Sequence, residues 1–248
     1  GSEMCIRDSY YDKSTFGTVS GNAYTGEEGY VGLRRGILQG QYNSWSQGSS
    51  CMKVAASDNI VVFRASEVAF LRAEGALRGW NMGGSPKDLY EAGIRLSFEE
   101  NNISSGVESY LANTGKVEGY KDPLKGQSGQ TYDYSGSINT AVTVAWAGGD
   151  FEKSLEQIIT QKWIANFPNG MESWSEYRRT GYPKLMPMAA NASSGIVDDT
   201  EGARRMPYPT DEYRENKESV EAAVLTLTQE SKTKKGDSMA THVWWDCK

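Results

Sequence analysis

Apolar side chains recur at helical spacing between residues 66 and 80. The run SEVAFLRAEGALRGW carries two neighbouring stripes, one made of Val68, Leu71 and Gly75 and the other of Phe70, Ala73 and Leu77. Ser66 is a residue type that caps helix N-termini, and Glu67 in the first turn suits the helix dipole. The pattern therefore predicts a helix that Ser66 caps and that ends at the turn Asn81-Met82-Gly83-Gly84.

A second helix is predicted to start immediately after this turn. Ser85 is its N-cap, and Pro86 occupies the first helical position, where proline is favoured. The apolar face of the run DLYEAGIRLSFEE consists of Leu89, Ile94 and Phe98. Small residues in the two runs, Gly75 and Gly93, would let the helices approach closely, so together the runs predict a tetratricopeptide-like hairpin.

Three further helices are predicted nearer the C-terminus. Asp150 caps the run FEKSLEQIITQKWIANF, whose apolar face consists of Leu155, Ile158, Ile159, Trp163 and Phe167. A short helix with the run MESWSEYRR follows the break at Pro168-Asn169-Gly170 and ends at Gly181. The last helix opens at Thr210 and continues through Leu227.

Two long stretches lack helical periodicity. Residues 10–59 are rich in Gly, Ser, Asn and Tyr, and residues 113–149 carry scattered aromatic side chains. Such stretches are typical of loops. The chain is therefore predicted to be mainly α, with long irregular segments between its helices.

Charge and composition exclude several classes of function. The net charge is -6, and an acidic chain without a basic cluster argues against nucleic acid as a partner. No stretch is apolar for long enough to be a membrane-spanning helix. Cys5, Cys51 and Cys247 provide neither metal-ligand spacing nor a disulfide framework. The single histidine, His242, is predicted to be packed or on the surface, and the sequence predicts no metal and no cofactor.

Glu172 and Glu176 are the carboxylate pair considered for glycoside hydrolysis, because residues four apart share a helix face. Glutamates beside arginines more commonly form ion pairs, and we predict that Arg178 or Arg179 pairs with one of them inside the fold. No serine-nucleophile, zinc-protease or phosphate-loop motif is present. The sequence therefore predicts no catalytic residues.

The aromatic-bearing loops supply the groups that carbohydrate sites use, which are rings that stack on sugars and polar side chains that bond hydroxyls. Binding residues concentrate on loops that a rigid scaffold positions. The candidate ligand-binding residues are Arg34, Tyr42, Asn43 and Trp45 in the first loop, and Tyr132, Tyr134 and Trp146 in the second. The tryptophans in or beside helical runs are assigned to packing, and these are Trp163, Trp174, Trp244 and Trp245.

The helical runs together resemble the SusD/RagB family of nutrient-binding lipoproteins. The similar segments, in the family's order, are RASEVAFLRAEGALRGWNMGG, LYEAGIRLSFEE, IITQKWIANFPNGMESWSEYRRTGYPKL, RRMPYPTDEYRENKESVEAAV and VWWDCK. They cover nearly everything from Ser66 to the C-terminus. The long run from Gln161 to Pro183 is the most specific of them.

The resemblance implies a SusD-like helical scaffold with a tetratricopeptide-like hairpin and long loops. It also implies a cell-surface protein of the outer membrane, held by a lipid anchor that is absent from this chain. Such a protein binds oligosaccharides, or in some members peptides, and hands them to a SusC-type TonB-dependent transporter. The motif residues that then look structural are Glu172, Trp174, Tyr177, Arg178 and Arg179. Ligand residues vary within the family, so the resemblance assigns none here.

Oligosaccharide binding is therefore the main interpretation of the sequence. Peptide capture, an all-helical glycoside hydrolase and a pure interaction scaffold for the transporter are the alternatives. The first nine residues are interpreted separately, because Gly1-Ser2 is similar to a cloning scar and Met4-Cys5-Ile6-Arg7-Asp8-Ser9 to a translated sequencing adapter. We interpret residues 1–9 as a cloning or sequencing artefact of a metagenome fragment, and residues 10–248 as the C-terminal portion of a SusD-like domain.

Overall fold

A computed structural model describes residues 18–19, 22–23, 34–36, 60–103, 105–116, 120, 133–134 and 142–246. Within these ranges the chain is mainly helical, as the sequence predicts. The elements in chain order are β1 (Thr18–Val19), β2 (Asn22–Ala23), α1 (Ala65–Leu77), α2 (Pro86–Glu100), α3 (Val107–Leu111), α4 (Phe151–Ala165), α5 (Gly170–Thr180), α6 (Thr210–Glu215) and α7 (Lys217–Glu230). The strands β1 and β2 form a short antiparallel ribbon. None of the helices in these ranges has the length and apolar character needed to cross a membrane.

The helices α1 and α2 pack against each other across a short turn, as the predicted hairpin requires. Their shared core consists of Phe70, Ala73, Leu89, Tyr90 and Ile94, to which α4 adds Ile158 and Ala165. Gly93 lies at the contact between the two helices, because a Cβ added there would be 2.7 Å from the Phe70 ring. Gly75 instead faces the turn, where an added Cβ would be 2.9 Å from the Met82 side chain.

The start of α1 differs from the prediction. The helix begins at Ala65, and its N-cap is Arg64, which makes no side-chain capping bond. Ser66 is fully buried, and its backbone N–H and hydroxyl both donate to the Glu100 carboxylate, at 2.9 and 2.6 Å. The local pattern predicts that the Ser66 side chain caps α1, but this side chain instead bonds to the end of α2.

The other predicted capping signals are confirmed. Ser85 Oγ accepts a hydrogen bond from the Asp88 N–H at 3.1 Å, and Asp150 Oδ1 accepts one from the Lys153 N–H at 2.9 Å. These bonds satisfy backbone donors that the first helical turn leaves without partners. The residues after the caps therefore enter α2 and α4 where the sequence places them.

The helix α4 is the central element of the core, and its Gln157 organises the neighbouring loop. Gln157 is 1% exposed, and its side-chain amide donates to the carbonyls of Thr143 and Ala145 at 2.8 and 2.9 Å. Its Oε1 accepts a hydrogen bond from the Ala147 N–H at 3.1 Å. Because an unpaired buried amide is costly, these three bonds fix the loop that carries Trp146.

The last predicted helix is two helices, so the prediction of one continuous helix is wrong. The break lies at Asn216, whose backbone leaves the helical region with φ −136° and ψ 39°. In α7 the buried side chain is Val220, at 4% exposure, whereas Leu225 is 56% exposed. The second half of this segment therefore presents most of its surface to solvent.

Candidate ligand-binding site

The structure brings together one predicted site residue from each aromatic-bearing loop, Arg34 and Tyr134. The guanidinium carbon of Arg34 lies 5.1 Å from the centroid of the Tyr134 ring, within range of a cation–π contact. Its N–H groups also donate to the carbonyl oxygen of Asp133 at 3.2 Å and to that of Pro187 at 3.2 and 3.3 Å. Arg34 therefore joins three chain segments and holds the tyrosine ring in place.

The segment 34–36 is anchored along residues 186–190. Backbone hydrogen bonds of 2.9 Å run from Ala189 to Arg35 and from Ala190 to Gly36. The backbone at Gly36 has a φ of 82°, and an added Cβ would lie 2.5 Å from the Ala190 carbonyl oxygen. Only glycine fits this position, because both the conformation and the close approach exclude a side chain.

A groove of about 500 Å³ lies along the same stretch of chain. It is lined by Met188, Ala189, Ala190, Asn191, Gly195, Val197, Asp198, Asp199 and Lys235. Its charged groups are Asp198, Asp199 and Lys235. The backbone N–H groups of Glu201 and Thr200 hold the pKa of the Asp198 carboxyl below its usual range, so this wall of the groove carries negative charge at neutral pH. The groove offers both donors and acceptors to a polar ligand.

Trp146 lies against the hairpin core. Its ring centroid is 5.1 Å from that of Tyr90, whose hydroxyl donates to the Val144 carbonyl at 2.7 Å. Trp146 is half-buried, so part of its ring serves packing. Its assignment to a ligand site stays a prediction.

The remaining predicted site residues are Tyr42, Asn43, Trp45 and Tyr132, and they lie outside the described residues. Their roles stay predictions. What sequence reasoning missed is the groove itself and its anchor at Arg35 and Gly36. The available signal was Gly36 itself, because glycine is the residue that adopts a positive φ without strain.

The two glutamates considered for hydrolysis belong to a buried ion-pair network. Lys162 is 1% exposed, and its Nζ lies 2.9 Å from Glu172 and 3.6 Å from both Glu67 and Glu176. Arg179 contacts Glu176 at 2.7 Å, which confirms the predicted arginine–glutamate pair. Lys162 and Glu176 are buried, whereas the side chains of Glu172 and Arg179 are 36% and 35% exposed. Each carboxylate is thus paired with a cation, which is an arrangement typical of structural pairing.

Arg179 also reaches across to the hairpin. It contacts the Glu74 carboxylate of α1 at 2.6 Å, and Glu74 in turn contacts Arg78 at 2.8 Å. Burial alone would raise the pKa of Glu74, but the bonds from Arg179 and Arg78 hold it below its usual value. This network fixes α1, α4 and α5 relative to one another.

Arg178 makes a different contact, between two tryptophans. Its guanidinium carbon lies 3.5 Å from the Trp174 ring centroid and 4.5 Å from that of Trp245. The Trp174 indole N–H donates to the Ala203 carbonyl at 2.7 Å. These two rings pack as predicted, whereas Trp244 is 89% exposed, so its assignment to packing is wrong.

His242 is packed, as the sequence predicts. It is 2% exposed, with its Nε2 at 2.7 Å from Glu201 and its Nδ1 at 3.1 Å from the Asp246 carbonyl. Asp246 also pairs with the buried Arg204 at 3.2 Å. Within the described residues, no group of three His, Cys, Asp or Glu side chains is arranged to hold a metal ion.

The chain is similar in sequence and structure to several solved proteins. A SusD homologue from Bacteroides ovatus is 90% identical, with a TM-score of 0.85 over 96% of this chain and 48% of its own. A SusD homologue from Bacteroides uniformis is 47% identical, with a TM-score of 0.78 over 91% of this chain and 45% of its own. A chitin-binding SusD homologue from Flavobacterium johnsoniae is 44% identical, with a TM-score of 0.63 over 75% of this chain and 36% of its own.

The chain thus spans about half the length of the first two of these relatives. Among curated protein sequences, none matches it. The family described as "Susd and RagB outer membrane lipoprotein" matches residues 6–246. The ion-pair network of α1, α4 and α5 is built by residues of two segments that carry the resemblance in the sequence, the first helical run and the run from Gln161 to Pro183. This chain belongs to the SusD-like family of outer membrane lipoproteins.

Proposed function

We propose that this chain is part of a cell-surface protein that binds oligosaccharides and delivers them to a SusC-type TonB-dependent transporter. The protein acts in the outer membrane, to which a lipid anchor holds it, and it is not an enzyme. The observation that supports this function best is the Arg34–Tyr134 contact, whose arginine donates to the Pro187 carbonyl, next to the segment 188–191 that lines the groove.

A sugar site needs a flat apolar surface and polar groups around it. The ring of Tyr134 offers the surface, and Arg34 restrains it before a ligand arrives. A ring that is already ordered loses little conformational entropy on binding. The Asp198 and Asp199 carboxylates and the Lys235 ammonium group of the groove provide acceptors and donors for hydroxyl groups.

The relatives support a glycan as the ligand. The Flavobacterium johnsoniae relative is described as chitin-binding, and it shares 44% identity with this chain. A glycosidase would need Glu172 and Glu176 as its catalytic carboxylates, but they form ion pairs with Lys162 and Arg179. Binding without hydrolysis therefore agrees better with the arrangement of these carboxylates.

The test starts with a glycan array that includes chitin oligosaccharides, followed by calorimetry on the best ligand. Tyr134→Ala should weaken binding by about tenfold, because loss of a stacking ring costs on the order of 1 to 3 kcal/mol in nucleic-acid systems. Arg34→Ala should weaken binding as well, since it releases the ring. Trp80→Ala is the matched control, because that ring is 62% exposed on the hairpin and should leave the affinity unchanged.

Three outcomes would contradict the proposal. Unchanged affinity in Tyr134→Ala would move the site to Trp146 or to the residues outside the described ranges. An array without a glycan ligand, together with binding to a peptide library, would favour peptide capture. New reducing ends during incubation with the ligand would show hydrolysis.

A further inference from the structure

His242, the single histidine of the chain, is buried with oxygen atoms on both sides of its ring. Its Nε2 lies 2.7 Å from the Glu201 carboxylate, and its Nδ1 lies 3.1 Å from the Asp246 carbonyl oxygen and 3.2 Å from Asp246 Oδ1. A neutral imidazole has one N–H and one lone pair, whereas an imidazolium donates from both nitrogens. Only the protonated ring can therefore donate to the Glu201 carboxylate and to the Asp246 carbonyl at the same time.

The charges beside the ring also favour its protonated form. The two carboxylates, Glu201 and Asp246, both contact Arg204, at 3.5 and 3.2 Å. The side chains of Arg204 and Asp246 are 2% and 0% exposed, so water screens their charges little. Burial raises the pKa of Asp246, and the charges of Arg204 and His242 oppose this rise. A proton on His242 gives the cluster two cations for its two carboxylates.

The other charged and titratable groups around this cluster come from α5 and from the segment 34–36. Arg178 donates to the Arg204 carbonyl at 2.8 Å, the Tyr177 ring centroid lies 4.8 Å from the Arg204 guanidinium carbon, and Arg35 donates to the Thr200 carbonyl. Arginine stays protonated in proteins, and burial raises the pKa of Tyr177. Histidine, in contrast, is the residue type that ordinarily changes its charge between about pH 5 and 8.

His242 connects the charged parts of the groove lining. Its ring contacts Glu201, whose backbone N–H donates to Asp198 Oδ1 at 2.8 Å, and Asp198 lines the groove. Its own backbone N–H donates to the Thr233 hydroxyl at 3.3 Å, two residues before Lys235, which also lines the groove. The segment of the groove aspartates and the segment of the groove lysine are therefore both attached to this one residue.

We propose that His242 is a positioning residue of the groove, and that the gain or loss of its ring proton regulates the order of the segment 198–202. A neutral ring must turn a lone pair towards either the Glu201 carboxylate or the Asp246 carbonyl, and that contact becomes repulsive. The stabilisation of the segment is complete while the ring is protonated and is lost as the pH rises through the titration of the ring. The consequence for ligand affinity rests on the proposed function.

The first test needs no ligand and uses nitrogen NMR of the isotope-labelled chain. The ring signals can be assigned at once, because the sequence has one histidine. The two nitrogens have similar shifts in an imidazolium and widely separated shifts in a neutral ring. We expect the protonated form at the acid end of a titration from about pH 6 to about pH 9 and the neutral form at its alkaline end.

Hydrogen exchange of the backbone amides reports the order of the segment along the same titration. Once corrected for base catalysis, the protection of the Glu201 and Gly202 amides should fall about fivefold or more with the midpoint of the ring, since couplings between sites are typically of this size. The control is the Lys153 amide on α4, which donates to Asp150 Oδ1 at 2.9 Å, the same kind of bond that the Glu201 amide makes. Its protection should stay constant.

Two variants separate positioning by a proton from packing alone. His242→Gln keeps an amide donor for Glu201 but cannot titrate, so the protection of the segment should not change between the two ends of the titration. Glu201→Gln removes the charge that the ring faces, and its side chain is 37% exposed, so this variant tests the same contact if His242→Gln does not fold. In Glu201→Gln the protection of the Gly202 amide should no longer follow the ring.

Calorimetry with the glycan found on the array then tests the consequence for binding. The affinity of the unchanged protein should be about fivefold or more weaker at the alkaline end, and that of His242→Gln should change by less than about twofold. A ring that stays neutral because Asp246 holds the proton would overturn the proposal, as would protection of the segment that does not follow the ring. Constant affinity beside a responsive segment would overturn the regulation of binding. An array without a glycan ligand would contradict the proposed function, and the exchange measurements would still confirm or refute the role of His242.

Discussion

Lys162 is the cation on which three carboxylates depend, although it is 1% exposed. Burial raises the pKa of the Glu67 carboxyl above its usual value, while the charge of Lys162 acts in the opposite direction. Lys162→Met should lower the free energy of unfolding by about 3 kcal/mol, since removing one partner of a buried pair leaves a charge uncompensated. Urea unfolding followed by circular dichroism measures this change.

The matched control replaces Lys162 together with a carboxylate that loses its cation. The double variant Lys162→Met with Glu67→Gln should recover part of the lost stability, because a neutral amide costs less to bury than a carboxylate. If Lys162→Met is as stable as the unchanged protein, the ion-pair network makes no net contribution to the free energy of unfolding.

The tryptophans of the C-terminal region should differ sharply in their effect on stability. Trp174→Ala removes a ring that stacks on Arg178 and leaves the Ala203 carbonyl without its donor, so it should cost about 2 kcal/mol. Trp244→Ala should stay within about 0.5 kcal/mol of the unchanged protein, since that side chain is 89% exposed. Thermal unfolding measures the stability of both variants. A larger loss of stability in Trp244→Ala than in Trp174→Ala would contradict the exposed position of Trp244.

At the scale of elements, the close approach of α1 and α2 depends on Gly93. Gly93→Ala places a methyl group 2.7 Å from the Phe70 ring, so the helices must separate, and we expect a loss of about 1 to 3 kcal/mol. Gly170→Ala, at the start of α5, meets no atom within 4 Å and should change stability by about 0.5 kcal/mol or less. Denaturant unfolding distinguishes the two variants, and an equal effect would mean that the α1–α2 contact adjusts freely.

At the scale of the whole molecule, acid should loosen the contact between the hairpin and α5. The pKa of Glu74 is held below its usual value, so its contribution to stability is complete above the ordinary glutamate pKa of about 4.3 and is lost as the pH falls through the lower folded value. Glu67 has a raised pKa and contributes with the opposite sign. We expect unfolding at pH 7, 5, 4 and 3 to show decreasing stability below pH 5.

Glu74→Gln identifies the source of this pH dependence. The variant should be less stable than the unchanged protein at pH 7, and its stability should fall less steeply between pH 5 and pH 3. Parallel pH profiles for the two proteins would assign the acid sensitivity to other carboxylates. Asp237 would then be the next carboxylate to test, because its pKa is also lowered. Burial opposes this shift, and the hydrogen bonds from Tyr213 and Arg205 cause it.

The sequence by itself determined the elements whose signals are local. Ser85 and Asp150 cap their helices, and the break at Pro168-Asn169-Gly170 separates α4 from α5, because capping bonds and backbone breaks involve residues only a few positions apart. The family motif from Gln161 to Pro183 likewise indicated a structural role, which the ion pairs of Lys162 and Arg179 bear out.

Only the tertiary structure decided how distant segments use their side chains. Periodicity marked two apolar stripes on α1, and the packing of α2 and α4 selected the one with Phe70 for burial. Ser66 bonds to Glu100 at the far end of the next helix, and Arg34 meets Tyr134 beside Pro187. Such contacts have no local signature, because they depend on where the helices place chain segments that lie far apart in sequence.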